Sequence, residues 1–179
     1  MKPRQEINIT YLEGDATDPG MQGCKIIAHI CNDIGAWGKG FVVSLSQRWP
    51  SAEKAYKKWF QMDSGMNVQE LTPFRLGRMK LVRVSNETFV ANMIAQRGIK
   101  SDERGVPPIR YAALADCLAE LRLHALDLKA SIHMPRIGCG LAGGQWSKVE
   151  EIIKIELGDV PVFVYDFDSR NQNAIKWNP

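Results

Sequence analysis

The sequence predicts an α/β protein, a three-layer α/β/α sandwich built on a mixed, mostly parallel sheet of six strands. Three observations predict it. Six short runs of β-branched or apolar residues are each bounded by Gly, Pro, Asn or Asp, the punctuation of strands. Segments with helical periodicity lie between most of these runs, and that alternation is the pattern of a parallel sheet covered on both faces. The link from Val84 to Thr88 is too short for a crossover, so one strand pair is an antiparallel hairpin and the sheet is mixed.

Strands are expected at Ile7 to Leu12, Lys25 to Ile30, Lys80 to Val84, Thr88 to Ile94, Ser131 to Pro135 and Pro161 to Tyr165. A first helical region covers Phe41 to Arg48 and Ala52 to Met62, interrupted at Pro50, with Ser51 placed to cap the second start. The clearest helix runs from Ile109 to Leu128, where Leu114, Leu118, Leu121 and Ala125 recur at three and four residues behind Pro107 and Pro108. Ser147 to Leu157 is a further helix, with Ser147 and Glu150 spaced as a capping box and Gly158 beyond its end. No repeat or linker divides the chain, so residues 1–179 are read as one domain whose segment 166–179 is a polar tail.

Composition narrows the function classes. Lys plus Arg number 23 against 20 Asp plus Glu, a net charge of +3 without the basic stripe of a dedicated nucleic-acid binder. With 45% hydrophobic residues and four cysteines the chain is neither disordered nor a disulfide scaffold. Met1 to Thr10 lacks an apolar run of signal-peptide length, and no stretch approaches the roughly 20 apolar residues of a membrane helix. A cytoplasmic monomer without membrane contact is therefore expected. Cys24, Cys31, Cys117 and Cys139 follow no C-x-x-C spacing, which argues for reduced thiols and against a metal site.

Two glycine-rich loops each follow a strand and open a helix. In Asn32-Asp33-Ile34-Gly35-Ala36-Trp37-Gly38-Lys39-Gly40-Phe41 the glycines let backbone N–H groups approach an anion that also feels the following helix dipole. Asp33 stands where a Walker A loop opens on Gly, and Gly40 stands where its Ser or Thr would hold magnesium, so it is not that loop. In the second, Arg136-Ile137-Gly138-Cys139-Gly140-Leu141-Ala142-Gly143-Gly144-Gln145-Trp146, the residues Gly138, Gly140 and Gly143 match G-x-G-x-x-G. Its late position in the chain argues against a nicotinamide dinucleotide fold, as does the lack of an acidic residue ending a second strand about 20 positions on. Glycines that only shape turns would explain either loop alone; two at strand ends of one sheet point to a ligand crevice.

On these residues the chain resembles a macrodomain, an ADP-ribose-binding module, from Ile7 to Tyr165. The resemblance is carried by Glu13-Gly14-Asp15-Ala16, by His29-Ile30-Cys31-Asn32, and by Pro135-Arg136-Ile137-Gly138-Cys139-Gly140-Leu141. That last run and the following Gln145-Trp146 are most similar to the branch holding terminal ADP-ribose protein glycohydrolases, chromatin-remodeller macrodomains and ADP-ribose 1″-phosphate phosphatases. The resemblance implies that Asp15, with Ala16 beside it, accepts from the adenine amine, as an acceptor-only carboxylate can. It implies that Gly138, Cys139, Gly140, Leu141, Ala142 and Gly143 cradle the phosphates through N–H groups while Gly38, Gly40 and Phe41 close the other side. Asn32 would bind hydroxyls of the distal ribose, and Phe167 would stack on adenine. Ile26, Val42 and Ile137 are walls or core. No cofactor and no metal are implied, and the partner is ADP-ribose or a derivative, free or on a protein or nucleic acid.

Chemistry is less fully carried. The glycohydrolase relatives hold a Lys beyond the strand matching Thr88 to Ile94 and an Asp after the Gly-Cys-Gly-Leu run; here those places read Ala95-Gln96-Arg97-Gly98 and Ala142-Gly143. Lys39 or Lys100 would have to serve from another loop. The candidates for catalysis, phosphatase chemistry included, are His29 as acid or base, Asn32, Asp33, and Lys39 as a stabiliser of phosphate charge. Each has a plain alternative: His29 in an apolar strand also suits a core histidine, and Lys39 a solvated loop. Asp166 and Asp168 flank Phe167 at a strand end and are further candidates to enter the site. Three readings follow: an ADP-ribose-derivative hydrolase, a recognition module for ADP-ribose that lacks chemistry, and another dinucleotide-binding enzyme. Comparable affinity for intact NAD would mark the third.

Overall fold

A computed structural model describes residues 9–64 and 72–166. The expected segments become β1 (Thr10–Glu13), β2 (Lys25–Asn32), α1 (Phe41–Arg48), α2 (Pro50–Ser64), β3 (Met79–Arg83), β4 (Thr88–Gln96), α3 (Tyr111–Leu128), β5 (Ser131–Pro135), α4 (Trp146–Leu157) and β6 (Val162–Asp166). The six strands form one sheet in the order β1-β6-β5-β2-β4-β3. All neighbours are parallel except β3 and β4, the hairpin expected from the short link. The carboxyl ends of the five parallel strands therefore share one edge of the sheet, where the two glycine loops leave β2 and β5.

Period-two alternation sends successive side chains of the central strands into two separate cores. Ile26, Ala28, Ala91, Met93, Ile132 and Met134 pack with Leu114, Leu118 and Leu121 of α3 and Val149, Ile153 and Leu157 of α4. On the opposite face, Ile27 and Val90 meet Leu45 and Ala52, while Cys31 and Ile94 meet Tyr56, Trp59 and Phe74. These two faces make the three layers. The middle strands are buried on both sides, which is why β2 and β4 read as near-continuous apolar runs.

Element boundaries differ where backbone interactions outrank side-chain signals. Pro50 opens α2 rather than interrupting a helix, since its fixed φ suits a first helical position, and Ser51 lies inside. The segment before α3 stays extended through Arg110: Ile109 pairs with Gln96 in an isolated bridge, and the Arg110 N–H donates to the Ala95 carbonyl at 2.8 Å. The expected capping box of α4 does not form. The helix starts at Trp146 behind an extended Gln145, Ser147 is within it, and Glu150 instead accepts from the Tyr11 hydroxyl. Residues 7 and 8 of the expected first strand, Phe167, Asp168 and the rest of the tail lie outside the described residues.

Two histidines sit in the core. The His29 imidazole, 2% exposed, donates from Nε2 to Asn92 Oδ1 at 2.6 Å; the Asn92 Nδ2 group donates to the Ala52 carbonyl at 3.0 Å, which fixes that amide's orientation. His133, 0% exposed, stacks on Phe163 and hydrogen-bonds Ser131 and the Tyr165 hydroxyl. Burial pushes both rings down to about 4, with Lys25 adding to the effect at His133. Both are neutral in folded and unfolded chains above pH 6.5. Below it the unfolded chain takes protons that the folded chain refuses until about pH 4, so stability is lost on acidification through that interval. The gap corresponds to about 3 kcal/mol for each ring. Denaturant midpoints measured between pH 7 and pH 4 are expected to fall steeply; a flat profile would contradict neutral buried rings.

Candidate functional site

Above the carboxyl ends of β2, β4 and β5, two contiguous cavities share the lining residues Ile30, Lys39, Val42, Gln96 and Leu141. The inner cavity, about 300 Å³, lies between Gly40, Phe41 and Val42 at the start of α1 and Arg136 to Gly138 with Gly140 to Ala142 of the second loop. The outer one, about 400 Å³, lies under Asn32 and Ala36 to Lys39, with Ile99 and Lys100 on its far wall. The loops approach across this cleft: a Cβ built at Gly40 would stand 3.6 Å from Leu141 Cδ1.

Backbone donors add to the polar side chains of the cleft. The N–H groups of Gly140, Leu141 and Ala142 make no hydrogen bond among the described residues, and neither do those of Gly40, Phe41 and Val42. Gly40 also supplies no side-chain cap to α1, so the positive end of that helix is open. Two runs of residues with free N–H groups therefore line one cavity from opposite sides, an arrangement suited to an anion with several oxygens.

The first loop is held rigidly beneath. Asn32, 8% exposed, accepts at Oδ1 from the Ile34 and Ala36 N–H groups at 3.2 and 3.0 Å and donates from Nδ2 to the Ala36 carbonyl at 2.6 Å. Tyr56, fully buried on α2, donates to the Asn32 carbonyl at 2.7 Å. Trp37 packs on His29 and Tyr56 and donates from Nε1 to Ser46 Oγ at 2.7 Å.

The structure brings together most residues singled out in the sequence. His29, Asn32, Gly38, Lys39, Gly40, Phe41, Gly138, Gly140, Leu141 and Ala142 line one or both cavities, as does Lys100. Several occupy other settings. Asp33 lines neither cavity and accepts at Oδ1 from the Gly98 N–H at 2.7 Å. Gly143 faces a separate depression, and its positive φ and the 2.8 Å approach of Pro107 to a built Cβ explain the glycine by packing. Cys139 lies off both linings with its thiol on the Ile137 carbonyl at 3.5 Å. Asp15 stands at the end of β1, Ala16 is buried beside it, and Asp15 Oδ1 accepts from both the N–H and hydroxyl of Thr17 at 2.8 Å. Asp166 forms a two-point ion pair with Arg136, whose guanidinium lies between the Tyr11 and Trp146 rings; that pairing holds the Asp166 carboxyl below its usual range. Phe167 is outside the described residues.

The electrostatics restrict the chemistry. His29 is neutral at pH 7 and already engaged, which departs from a free acid or base. Burial raises the thiols of Cys31 and Cys139, so neither is a ready thiolate. Among the described residues no carboxylate lines either cavity. Among the described residues no group of three or more His, Cys, Asp or Glu could hold a metal ion, and no helix is long and apolar enough to cross a membrane. The sequence reading missed Gln96 as a lining residue; its register partner in β2 is Asn32, past a bulge, and a polar residue ending an apolar strand was the available signal.

No family model matches the chain. A protein of unknown function from Bacteroides thetaiotaomicron is similar in structure, with 51% identity, a TM-score of 0.83, and coverage of 89% of this chain and 98% of that one. A macrodomain protein from Streptomyces coelicolor is 45% identical with a TM-score of 0.75, over 89% of this chain and 99% of its own. The ADP-ribose 1″-phosphate phosphatase of Saccharomyces cerevisiae is 43% identical over 88% of this chain and 98% of its own length. The chain spans only 18% and 15% of the chromodomain-helicase-DNA-binding protein 1-like proteins of Mus musculus and Danio rerio, at 29% and 30% identity.

Proposed function

The chain belongs to the macrodomain family, and from that premise we propose that it binds ADP-ribose in the cleft above β2, β4 and β5 and hydrolyses a derivative of it. The observation that carries the reading is the pair of segments with free N–H groups, Gly40 to Val42 and Gly140 to Ala142, that line the inner cavity. A diphosphate between them accepts from both sides and lies on the α1 dipole, without a cation. Asp15, at the same sheet edge, is assigned the adenine end, and Gln96 and Asn32 the distal ribose.

The name of the yeast relative supports a phosphate ester as the derivative. In that reaction the water oxygen bonds to phosphorus, the bond from phosphorus to the ribose 1″ oxygen breaks, and the water's proton ends on that oxygen, giving ADP-ribose and inorganic phosphate. The N–H donors and Lys39 stabilise charge on the phosphoryl oxygens.

A second reading, recognition of ADP-ribose without turnover, is favoured by the lack of a carboxylate on the cleft among the described residues and by the engaged His29. Incubation with ADP-ribose 1″-phosphate, followed by assay of inorganic phosphate, separates the two. Multiple turnovers support the hydrolase. Binding with no release of phosphate at high enzyme concentration would establish the recognition module instead.

A further inference from the structure

Resting on the reading that the cleft holds ADP-ribose, we infer that the outer cavity is a selectivity site for an anionic group on the distal ribose, with Lys39 and Lys100 as its specificity-determining residues. Both lysines line this cavity, one from each wall, and both are exposed. Neither amine has an ion-pair or hydrogen-bond partner among the described residues. Among the described residues no carboxylate lines the cavity. Two uncompensated ammonium groups on facing loops form a field that favours a dianion, and their flexible stems can follow it without a fixed fork geometry.

Asp33 gives the arrangement its shape. It is the carboxylate nearest Lys39 in sequence, yet its Oδ1 is turned to the Gly98 N–H at 2.7 Å, and its own N–H donates to the Gln96 carbonyl at 2.9 Å. These two bonds staple the loop that carries Lys39 to the one that carries Lys100. They also keep the negative charge of Asp33 off the cavity lining, so Asp33 is a positioning residue rather than a catalytic one. Trp37, Val42, Ile99 and Leu141 add apolar surface to the lining beside the neutral amides of Asn32 and Gln96, and that surface lowers the local dielectric and strengthens the attraction. The chemical class selected is a phosphate monoester on the distal ribose, in preference to a neutral substituent of similar attachment.

The test is calorimetry with three ligands: ADP-ribose, its 1″-O-methyl glycoside, and a non-hydrolysable 1″-phosphonate analogue. The wild-type chain is expected to bind the phosphonate about tenfold more tightly than the methyl glycoside, as two partly screened ion pairs provide. That ratio is expected to fall to about two or less in the K39Q/K100Q double variant, and to shrink in the wild type as salt screens the lysines. A wild-type ratio near one, or a ratio that survives the double substitution, would overturn the inference while leaving ADP-ribose binding intact. Failure of the wild type to bind any of the three ligands would overturn the underlying reading instead.

Discussion

Valine in place of Gly140 is expected to lower ADP-ribose affinity at least about a hundredfold, equivalent to about 2.7 kcal/mol, while the unfolding midpoint stays within about 2 °C of wild type. Gly140 lines the inner cavity, and a Cβ built there meets no atom of the protein within 4 Å. The added side chain therefore displaces ligand rather than protein. It also screens the Gly140, Leu141 and Ala142 N–H groups from an anion, and hydrogen bonds to charged groups are worth about 1.5 to 3 kcal/mol each. Gly144 provides the contrast within one loop. There a Cβ would lie 2.6 Å from the Gly138 carbonyl oxygen, which the Gly144 N–H itself binds at 2.7 Å. Alanine at Gly144 is thus expected to disturb the loop and lower both affinity and melting temperature. Calorimetry paired with thermal denaturation reads the difference; undiminished affinity in a folded Gly140→Val chain would remove the phosphate from this loop.

Alanine at His29 is expected to do the opposite, costing about 3 to 5 kcal/mol of stability and about 10 °C in melting temperature. The substitution empties space between Trp37 and Phe41 and strips the buried Asn92 Oδ1 of its donor. The same loss loosens the support under the first loop, because Trp37 packs on the imidazole. Turnover per folded molecule is expected to change far less than stability. A variant with an unchanged melting temperature and abolished turnover would instead make His29 the acid or base of the reaction.

The sheet and its layers were legible because strand periodicity is a property of side chains alone: the alternation of Ile26, Ile27 and Ala28 already assigns each to a face. The hairpin followed from loop length. Helix starts were less legible, since Pro50, Arg110 and Gln145 owe their conformation to backbone geometry and to partners distant in sequence, such as Ala95 and Gln96. At the site, the glycine loops were visible because backbone donors need glycine nearby. The orientation of Asn32, Asp33 and Asp166 was not, because each carries a polar group that serves a ligand or a turn equally well until its partner is known. Ala36, Gly98 and Arg136 are those partners, at separations of 4, 65 and 30 residues along the chain. Tyr56 reads as one more apolar position on a helix, yet its hydroxyl holds the Asn32 carbonyl.

If the two N–H runs seat the diphosphate of ADP-ribose, calorimetric titration of the wild-type chain with ADP-ribose and, separately, with intact NAD reads that seat out. Saturable one-to-one binding of ADP-ribose is expected, with NAD markedly weaker because its nicotinamide occupies the end of the cleft assigned to the distal substituent. Absence of ADP-ribose binding would remove the diphosphate from this cleft, and equal affinity for NAD would assign the cleft to a different dinucleotide chemistry.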